Sequence, residues 1–239
     1  RFLDEHGRAL TRIPRDWGLA AVFRDIDQDG DPDLYVCNDF QTPDRLWLGN
    51  GRGQFRDAAE TAFRNMSYAS MGVDFADLDR DGRYDFITVE MLSENLPQHL
   101  RTSSPMLPVK RVPGQDRPRE DVPRNCLYWN RGDGTWAEIA HYAGVAATGW
   151  SWTPLFLDVD LDGWEDLIIS NGHLHDVNNR DIADQSRPKP GQTLQNTKDR
   201  LLQYPPLNSP KFAYRNRRDL TFEDRSSAWG IDSPRIAHG

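Results

Sequence analysis

Three nine-residue stretches of the chain repeat one acidic pattern, at 25–33, 77–85 and 158–166. Aspartates recur at positions 1, 3, 5 and 9 of each stretch, and glycine stands at position 6. Carboxylates this close together repel one another strongly unless a cation lies among them. Oxygen ligands on a short loop suit Ca²⁺, which takes about 6–8 oxygens at roughly 2.3–2.6 Å. The three copies in register therefore predict about three bound calcium ions, one in each loop.

The predicted ligands are the aspartates of the loops and, at position 7, the main-chain carbonyl. Because position 7 is Asp31, Arg83 or Trp164, its side chain is not the shared ligand. Glycine at position 6 allows the positive φ that folds the loop around an ion. The predicted metal-site residues are Asp25, Asp27, Asp29, Asp31 and Asp33 in the first loop, Asp77, Asp79, Asp81, Arg83 and Asp85 in the second, and Asp158, Asp160, Asp162, Trp164 and Asp166 in the third.

These loops differ from EF-hands. An EF-hand loop is longer and closes with a bidentate glutamate, whereas the corresponding residue here is Val36, Thr88 or Ile169. We therefore expect position 9 to supply the bidentate carboxylate. Each loop is followed by a short β-branched and aromatic run, typical of a buried strand rather than a helix. These runs are at 34–37, 86–89 and 167–170.

A second motif alternates with the loops and consists of a strand, a glycine-containing turn and an aromatic strand. Its copies at 46–57 and 127–138 predict β-hairpins. A degenerate copy at 213–224 has Arg218 and Leu220 where the other two copies have glycines. The substitution weakens the prediction of a tight turn there but not the prediction of a strand pair.

The two motifs together make one long repeat of short strands. This pattern is typical of a β-propeller, with one four-stranded blade per repeat. The predicted fold class is all-β, with β-propeller blades in a partial ring of about three to four blades. The repeats lie at about 17–68, 69–149 and 150–229, and a further repeat begins at 230–239. Because Phe2 already matches the end of a hairpin motif, we expect the chain to be part of a larger ring.

Two of the repeats carry long insertions, at about 93–124 and 171–210, and both are rich in proline. Proline excludes regular strands and long helices from these segments. Long loops on a rigid scaffold are where binding surfaces usually lie, and they are also where disorder is common. The sequence leaves both interpretations of the insertions open.

Composition narrows the function classes. Much of the formal net charge of −8 comes from the loops, and three Ca²⁺ would add six positive charges. We find no basic stripe suited to nucleic acid and no apolar run of the roughly 18 residues needed to span a membrane. The two cysteines, Cys37 and Cys126, give no disulfide framework and are expected to be buried apolar residues.

Three smaller features have alternative interpretations. Trp150 and Trp152, just before the third loop, are expected to pack in the core, with a sugar-stacking platform as the alternative. His173 and His175 are expected to be ordinary loop residues, with a transition-metal site as the alternative. The sequence shows no nucleophile elbow, no phosphate-binding loop and no carboxylate pair outside the acidic loops.

The chain resembles FG-GAP or VCBS repeat proteins, a family of calcium-loop propellers. It looks most similar to the bacterial relatives of cartilage acidic protein, which often carry an ASPIC/UnbV domain. The narrower resemblance rests on the motifs at 125–136, 143–145 with 150–152, and 170–172 with 176–178. It implies Ca²⁺ in the blade loops, an interaction role, and a secreted, periplasmic or cell-surface location. No ASPIC/UnbV segment and no signal peptide are visible in this sequence.

The expected function is a non-enzymatic, calcium-binding, extracytoplasmic propeller that binds a protein or a glycan through its insertions. A cage saturated with carboxylates leaves no open position for a substrate, which favours a structural role for the metal. The alternative is a propeller polysaccharide lyase or hydrolase that uses calcium or an insertion carboxylate. A structural spacer in a larger surface protein also remains open.

Overall fold

The chain folds into short strands with few, short helices. A computed structural model describes residues 1–10, 16–39, 42–58, 60–102, 120–185, 199 and 201–238. In chain order the strands are β1 Phe2–Leu3, β2 Gly18–Arg24, β3 Asp33–Asn38, β4 Arg45–Gly49, β5 Phe55–Asp57, β6 Asn65–Ser67, β7 Gly72–Ala76, β8 Asp85–Val89, β9 Glu120–Val122, β10 Cys126–Asn130, β11 Trp136–Glu138, β12 Ser151–Leu157, β13 Asp166–Asn171, β14 Phe212–Asn216 and β15 Phe222–Asp224. The helices are α1 Leu96–Arg101, α2 Ala140–Ala143 and α3 Arg180–Gln185, with a 3-10 turn at Glu60–Ala62.

Three sheets account for most of these strands. Blade one has the order β1-β5-β4-β3-β2, blade two the order β11-β10-β8-β7, and blade three the order β12-β13-β14-β15. Their neighbouring strands are antiparallel except for the parallel pair of β1 and β5. Apart from β1, which lies beside β5, each blade is thus a four-stranded meander in chain order, as the alternating loop and hairpin motifs predict. Strand β9, between β8 and β10 in the chain, pairs with β6 in a separate sheet.

The blades pack face to face along their first strands. Strand β7 of blade two lies between β2 of blade one and β12 of blade three. The acidic loop follows the first strand of each blade, and the hairpin joins its last two strands. The fold is therefore all-β, and the described residues form part of a propeller rather than a closed ring. This confirms the predicted fold class.

Alternation along β8 places consecutive side chains in the two cores between the blades. Phe86 packs with Tyr35 of blade one, and their ring centroids are 5.0 Å apart. Its neighbour Ile87 points into the other core, with Leu167 and Ile169 of blade three. One face of blade two therefore contributes to the core shared with blade one, and the other face contributes to the core shared with blade three.

Both cysteines behave as buried apolar residues. Cys37 and Cys126 are free thiols, and both belong to the core between blades one and two. Burial raises the pKa of the Cys37 thiol well above its usual value and does the same for Cys126. The prediction of buried, unpaired cysteines is confirmed.

The degenerate third hairpin keeps the turn of the other two. Arg218 and Leu220 have φ of 66° and 64°, in the left-handed region where the first hairpin has Gly51 and Gly53. A residue with a side chain is disfavoured in this region by roughly 1–2 kcal/mol. The strand pair of β14 and β15 forms despite this strain.

Parts of the two insertions lie within the described residues. The first contains α1 and β9, and β9 pairs in parallel with β6. The expectation that proline excludes strands from this insertion is therefore wrong, because β9 fits in the proline-free stretch between Pro118 and Pro123. The second contains α3 and a bridge between His175 and Pro206. The two insertions also meet, because Thr102 and Asn179 form a bridge. Among the described residues, no helix is long and apolar enough to cross a membrane.

A buried carboxyl, Asp44, holds the end of β3 against the start of β4. Its Oδ1 accepts the Asn38 N–H at 2.8 Å, and its Oδ2 accepts the Tyr35 hydroxyl at 2.8 Å and the Ser70 hydroxyl at 2.6 Å. Burial raises the pKa of Asp44 from 3.8 to about 7, although these hydrogen bonds oppose the shift. The folded protein thus binds the Asp44 proton more tightly than the unfolded chain does.

We predict that Asp44→Asn flattens part of the pH dependence of stability. A raised carboxyl pKa contributes stability that is present below about pH 4 and is lost as the pH rises towards 7. The variant cannot lose this proton, so its melting temperature relative to wild type should be higher at pH 8 than at pH 5. Thermal melts of both proteins at the two pH values measure the difference. An equal offset at both would contradict the assignment.

Candidate metal centres

Each acidic loop joins the first strand of its blade to the second and has the same backbone course. Position 6 has positive φ in all three loops, with 93° at Gly30, 86° at Gly82 and 89° at Gly163. The sequence-based expectation for this glycine is confirmed. Position 4 also has positive φ, at 63°, 61° and 59°, although no glycine marks it. The position 4 residues are Gln28, Arg80 and Leu161.

This course brings carboxylates together in every loop. In each, three aspartates offer ligand oxygens that lie within 4.8 Å of one another. The first two loops use positions 1, 3 and 5, and the third uses positions 1, 3 and 9. The groups are Asp25, Asp27 and Asp29; Asp77, Asp79 and Asp81; and Asp158, Asp160 and Asp166. The main-chain contributions predicted at position 7 stay predictions.

In every loop one oxygen of the aspartate at position 1 accepts the N–H of the glycine at position 6. In the second and third loops its other oxygen accepts the N–H of position 5. In the first loop the Gly30 N–H donates to Asp25 Oδ2 at 3.1 Å, and the same bond forms to Asp77 and Asp158. The other oxygen, Asp25 Oδ1, is buried and has no hydrogen-bond partner. A buried acceptor without a donor is costly unless something positive satisfies it. This oxygen and the all-oxygen donor set fit a calcium ion.

The aspartate at position 9 connects the loop to the neighbouring hairpin. Asp33 is fully buried; its Oδ2 accepts the Ile26 N–H and its Oδ1 accepts the Gly49 N–H, both at 2.8 Å. Asp85 makes the same pair of bonds to Leu78 and Asn130. Asp166 does so with Val159 and Asn216. The carboxylate at position 9 therefore ties the backbone of its loop to the backbone of the hairpin, and we call this pair of hydrogen bonds the latch. The sequence predicts only a bidentate metal ligand at this position.

The pKa values of these carboxyls reflect burial and mutual repulsion. Burial raises the pKa of Asp85 to about 7, and it raises the pKa of Asp33 and Asp166 as well. At Asp27, burial and the neighbouring Asp29 charge both raise the pKa. Asp162 goes the other way, because a hydrogen bond from Arg218 lowers its pKa. Burial and repulsion therefore disfavour the ionised carboxylates of the first two loops, whereas in the third loop Arg218 favours the ionised form of Asp162.

Side chains from the hairpins reach into two of the loops, and sequence reasoning missed them. In blade two the Trp129 indole N–H donates to Asp79 Oδ2 at 2.7 Å. In blade three the equivalent residue is Arg215, whose Nε lies 2.7 Å from Asp160 Oδ2. The available signal was the hairpin alignment, in which Leu48, Trp129 and Arg215 share one position.

The loops also contact one another across the blades. The Gln28 side-chain amide donates to the Gly82 carbonyl of the second loop. The Arg80 guanidinium lies over the Trp164 ring of the third loop, 4.5 Å from its centroid. In both contacts the position 4 residue of one loop reaches position 6 or 7 of the next. The three loops thus form one continuous edge of the packed blades.

The other candidate residues lie at the opposite end of the blades. Trp150 stacks on His173 with ring centroids 4.4 Å apart and 10° between the ring planes. Trp150 also stacks on Trp152, and both indoles are half-buried. The Nδ1 atoms of His173 and His175 are hydrogen-bonded to backbone carbonyls, at 2.7 and 2.8 Å. Within the described residues, the groups suited to a metal are the three acidic ones.

Comparison with known proteins identifies the repeats. The family model of the FG-GAP-like repeat matches residues 25–88 and 120–169, spans that contain all three acidic loops. The chain therefore carries FG-GAP-like repeats. None of the curated proteins matches it.

One solved structure similar to this chain is a lectin from Agrocybe aegerita, described as specifically recognising non-reducing terminal N-acetylglucosamine. The two share 13% sequence identity, with a TM-score of 0.41. The alignment covers 91% of this chain and 41% of the lectin chain. The chain thus spans about two fifths of the lectin's length.

We predict that replacing aspartate by asparagine destabilises the protein at position 9, where the latch forms, but not at the exposed position 5. We expect Asp33→Asn to lower the free energy of unfolding in chelator by about 1–3 kcal/mol, because an amide cannot accept all the buried N–H groups that the carboxylate accepts. Asp29→Asn, at an exposed position of the same loop, should change it by no more than about 0.5 kcal/mol. Urea denaturation measures both values, and equal losses would contradict the latch.

Proposed function

We propose that the chain is a calcium-binding, non-enzymatic propeller module that works outside the cytoplasm and binds a protein or glycan ligand. The ions hold the acidic loops in their folded conformation. The insertions, at the other end of the blades, form the binding surface. The proposed calcium ligands are the aspartates of the three loops together with the main-chain carbonyls at position 7. The single observation that carries the proposal is the convergence of carboxylate oxygens in three equivalent loops.

Calcium suits these loops better than a smaller or softer ion. The donors are oxygens on flexible loops, whereas Mg²⁺ demands a tighter octahedral shell and retains several waters. Sites of this kind in extracellular modules bind calcium with dissociation constants of roughly 10⁻⁴–10⁻³ M. Such loops would fill outside the cytoplasm, where calcium is abundant, which supports an extracytoplasmic location.

The arrangement of the blades separates the metal from the binding surface. Strand β8 begins at Asp85, the last residue of the second acidic loop, and the first insertion follows its other end. Strand β13 relates the third loop to the second insertion in the same way. The ions therefore act on the stability of the blades rather than on the ligand. This separation favours a structural metal over a catalytic one.

The insertion end offers features that suit a ligand. The two insertions contact each other through the Thr102–Asn179 bridge, and Arg101 Nε lies 3.9 Å from Asp181 Oδ2. Beside them lies the stack of Trp150, Trp152 and His173. Half-buried aromatic rings present apolar faces with polar edges, which protein and sugar ligands both use. The alternative is a polysaccharide lyase or hydrolase that uses either an insertion carboxylate on this same surface or calcium in an acidic loop.

We predict that calcium stabilises the chelator-stripped protein. Ligand that binds only the folded state at about 100 times its dissociation constant adds about 2.7 kcal/mol of stability. Isothermal titration with CaCl₂ should show about three ions, and the melting temperature should rise with calcium more than with equimolar magnesium. The triple variant Asp27→Asn, Asp79→Asn and Asp160→Asn should lose this response. A wild-type melting curve that is the same in calcium and in chelator would contradict the proposal.

A second prediction concerns the aromatic stack. If it contributes to the ligand surface, Trp150→Ala should abolish retention on a panel of immobilised polysaccharides while leaving the calcium-induced rise in melting temperature intact. Tyr142→Ala, a change at an exposed aromatic residue of α2 that lies outside both insertions, serves as the control. Equal retention of both variants would remove the stack from the proposal. Turnover of a polyuronate by the wild type, lost on chelation, would favour the enzymatic alternative.

A further inference from the structure

The three acidic loops differ in the positive charge that surrounds them. The first loop has five aspartates, and among the described residues none of them forms an ion pair with a basic side chain. Arg56 is near enough to act weakly on Asp27 but makes no such contact. Asp25 Oδ1 is buried here without a hydrogen-bond partner. The first loop therefore depends most on an external cation.

The second loop is partly compensated by its own sequence. Position 7 is Arg83, whose guanidinium pairs with Asp81 at position 5. The Trp129 indole donates a hydrogen bond to Asp79 but adds no charge. One basic residue thus faces four aspartates in this loop.

The third loop is held by two arginines of the hairpin next to it. Arg215 lies between two aspartates, with Nε 2.7 Å from Asp160 Oδ2 and Nη2 2.9 Å from Asp162 Oδ2. Arg218 Nη2 lies 2.9 Å from the same Asp162 oxygen. A further guanidinium, that of Arg80, covers the Trp164 ring. One oxygen of the aspartate at position 3 and one oxygen of the aspartate at position 5 are therefore already paired with a guanidinium.

The backbone of Arg218 gives an independent reason to regard this pairing as functional. Its φ of 66° is disfavoured for a residue with a side chain, and the other two hairpins have Gly51 and Gly132 at this position. A side chain here necessarily meets the acidic loop: a Cβ added to Gly51 would lie 2.2 Å from Asp31 Oδ1. Strain of this kind persists where the surrounding structure uses the residue.

We propose that Arg215 and Arg218 are built-in counter-ions of the third acidic loop. They hold this loop in shape without metal, so that it binds calcium most weakly, while the first loop binds it most tightly. This inference rests on the proposed calcium-binding function and adds an order of affinity among the three sites. The second loop, with one arginine, is intermediate.

The expected size of the effect follows from electrostatics. A guanidinium in contact with a carboxylate attracts it, and the attraction is stronger in the partly screened environment of a protein surface than in bulk water. An incoming Ca²⁺ must displace these contacts and also meets the repulsion of two positive charges. Removing both arginines should therefore tighten the third site by about tenfold or more, since 1.4 kcal/mol corresponds to a factor of ten.

The hairpin of blade one supplies a matched replacement. The double variant Arg215→Leu and Arg218→Gly gives the third hairpin the residues found at Leu48 and Gly51. It also relieves the strained φ, so a failure to fold is not expected. Arg217→Leu is the control, because Arg217 lies in the same hairpin and is exposed.

Isothermal calcium titration and melts of the full chain test the order of affinity. As a single substitution in the otherwise unchanged chain, Asp27→Asn should remove the tightest calcium site, whereas Asp160→Asn should leave that site intact. The double arginine variant should tighten the weakest site about tenfold or more and show a larger calcium-induced rise in melting temperature, whereas the Arg217 control should match wild type. Unchanged affinities in the double variant, or loss of the tightest site in Asp160→Asn, would overturn the inference.

A melt in chelator at low and high NaCl separates this inference from the proposed function. Without the arginines, four aspartates repel one another, so added salt should raise the melting temperature of the double variant more steeply than that of wild type. An equal salt response would overturn the counter-ion role, even if calcium binds. The opposite result is also informative. If calcium does not change the melting temperature of wild type, but salt raises that of the double variant more steeply, the calcium proposal is refuted and the counter-ion role is supported.

Discussion

The repulsion among carboxylates is the constraint on which the rest of this structure depends. Each blade brings at least three aspartate oxygens within 4.8 Å of one another at the junction of its first two strands. Such a cluster is stable only if positive charge or hydrogen-bond donors meet it. The chain supplies backbone N–H groups to every loop, arginines to the second and third, and leaves a buried oxygen of Asp25 unsatisfied in the first. The positive charge that the chain itself supplies to the acidic loop therefore differs among blades that share one repeat.

The latch at position 9 explains why the loops and the hairpins belong to one repeat. The carboxylate of Asp33 accepts one N–H from its own loop and one from the following hairpin, and the same holds for Asp85 and Asp166. These bonds fix the loop relative to the third strand of the blade. On the proposed function, an ion bound by the loop would stabilise three strands at once, although it would touch only the connection between two.

The sequence predicts the features that arise from local rules. Glycine at position 6, the hairpin turns, the buried strands after each loop and the buried cysteines all follow from backbone conformation or burial preferences of single residues. The meander order of the blades follows from the alternation of the two motifs. The glycine conformations, the turns, the meander order and the buried cysteines are observed in the described residues. The strand after the loop is buried throughout in blade two and alternates between buried and half-buried residues in blades one and three.

What the sequence did not predict depends on contacts between distant segments. Arg218 was visible as a departure from glycine, but only the fold shows that its side chain reaches Asp162. The buried Asp44 and its partner Ser70 are far apart in sequence, so no local pattern marks them. The contact between the two insertions has the same character. The predictions that fall on 103–119 and 186–198 lie outside the described residues.

Anomalous X-ray diffraction from crystals grown with calcium and then soaked in a lanthanide would test the central claim most directly. The account predicts strong anomalous peaks among Asp25, Asp27 and Asp29 and among Asp77, Asp79 and Asp81. It predicts the weakest peak in the third loop, where Arg215 and Arg218 stand. Acidic loops without a peak in any blade would contradict the claim that metal ions staple this fold.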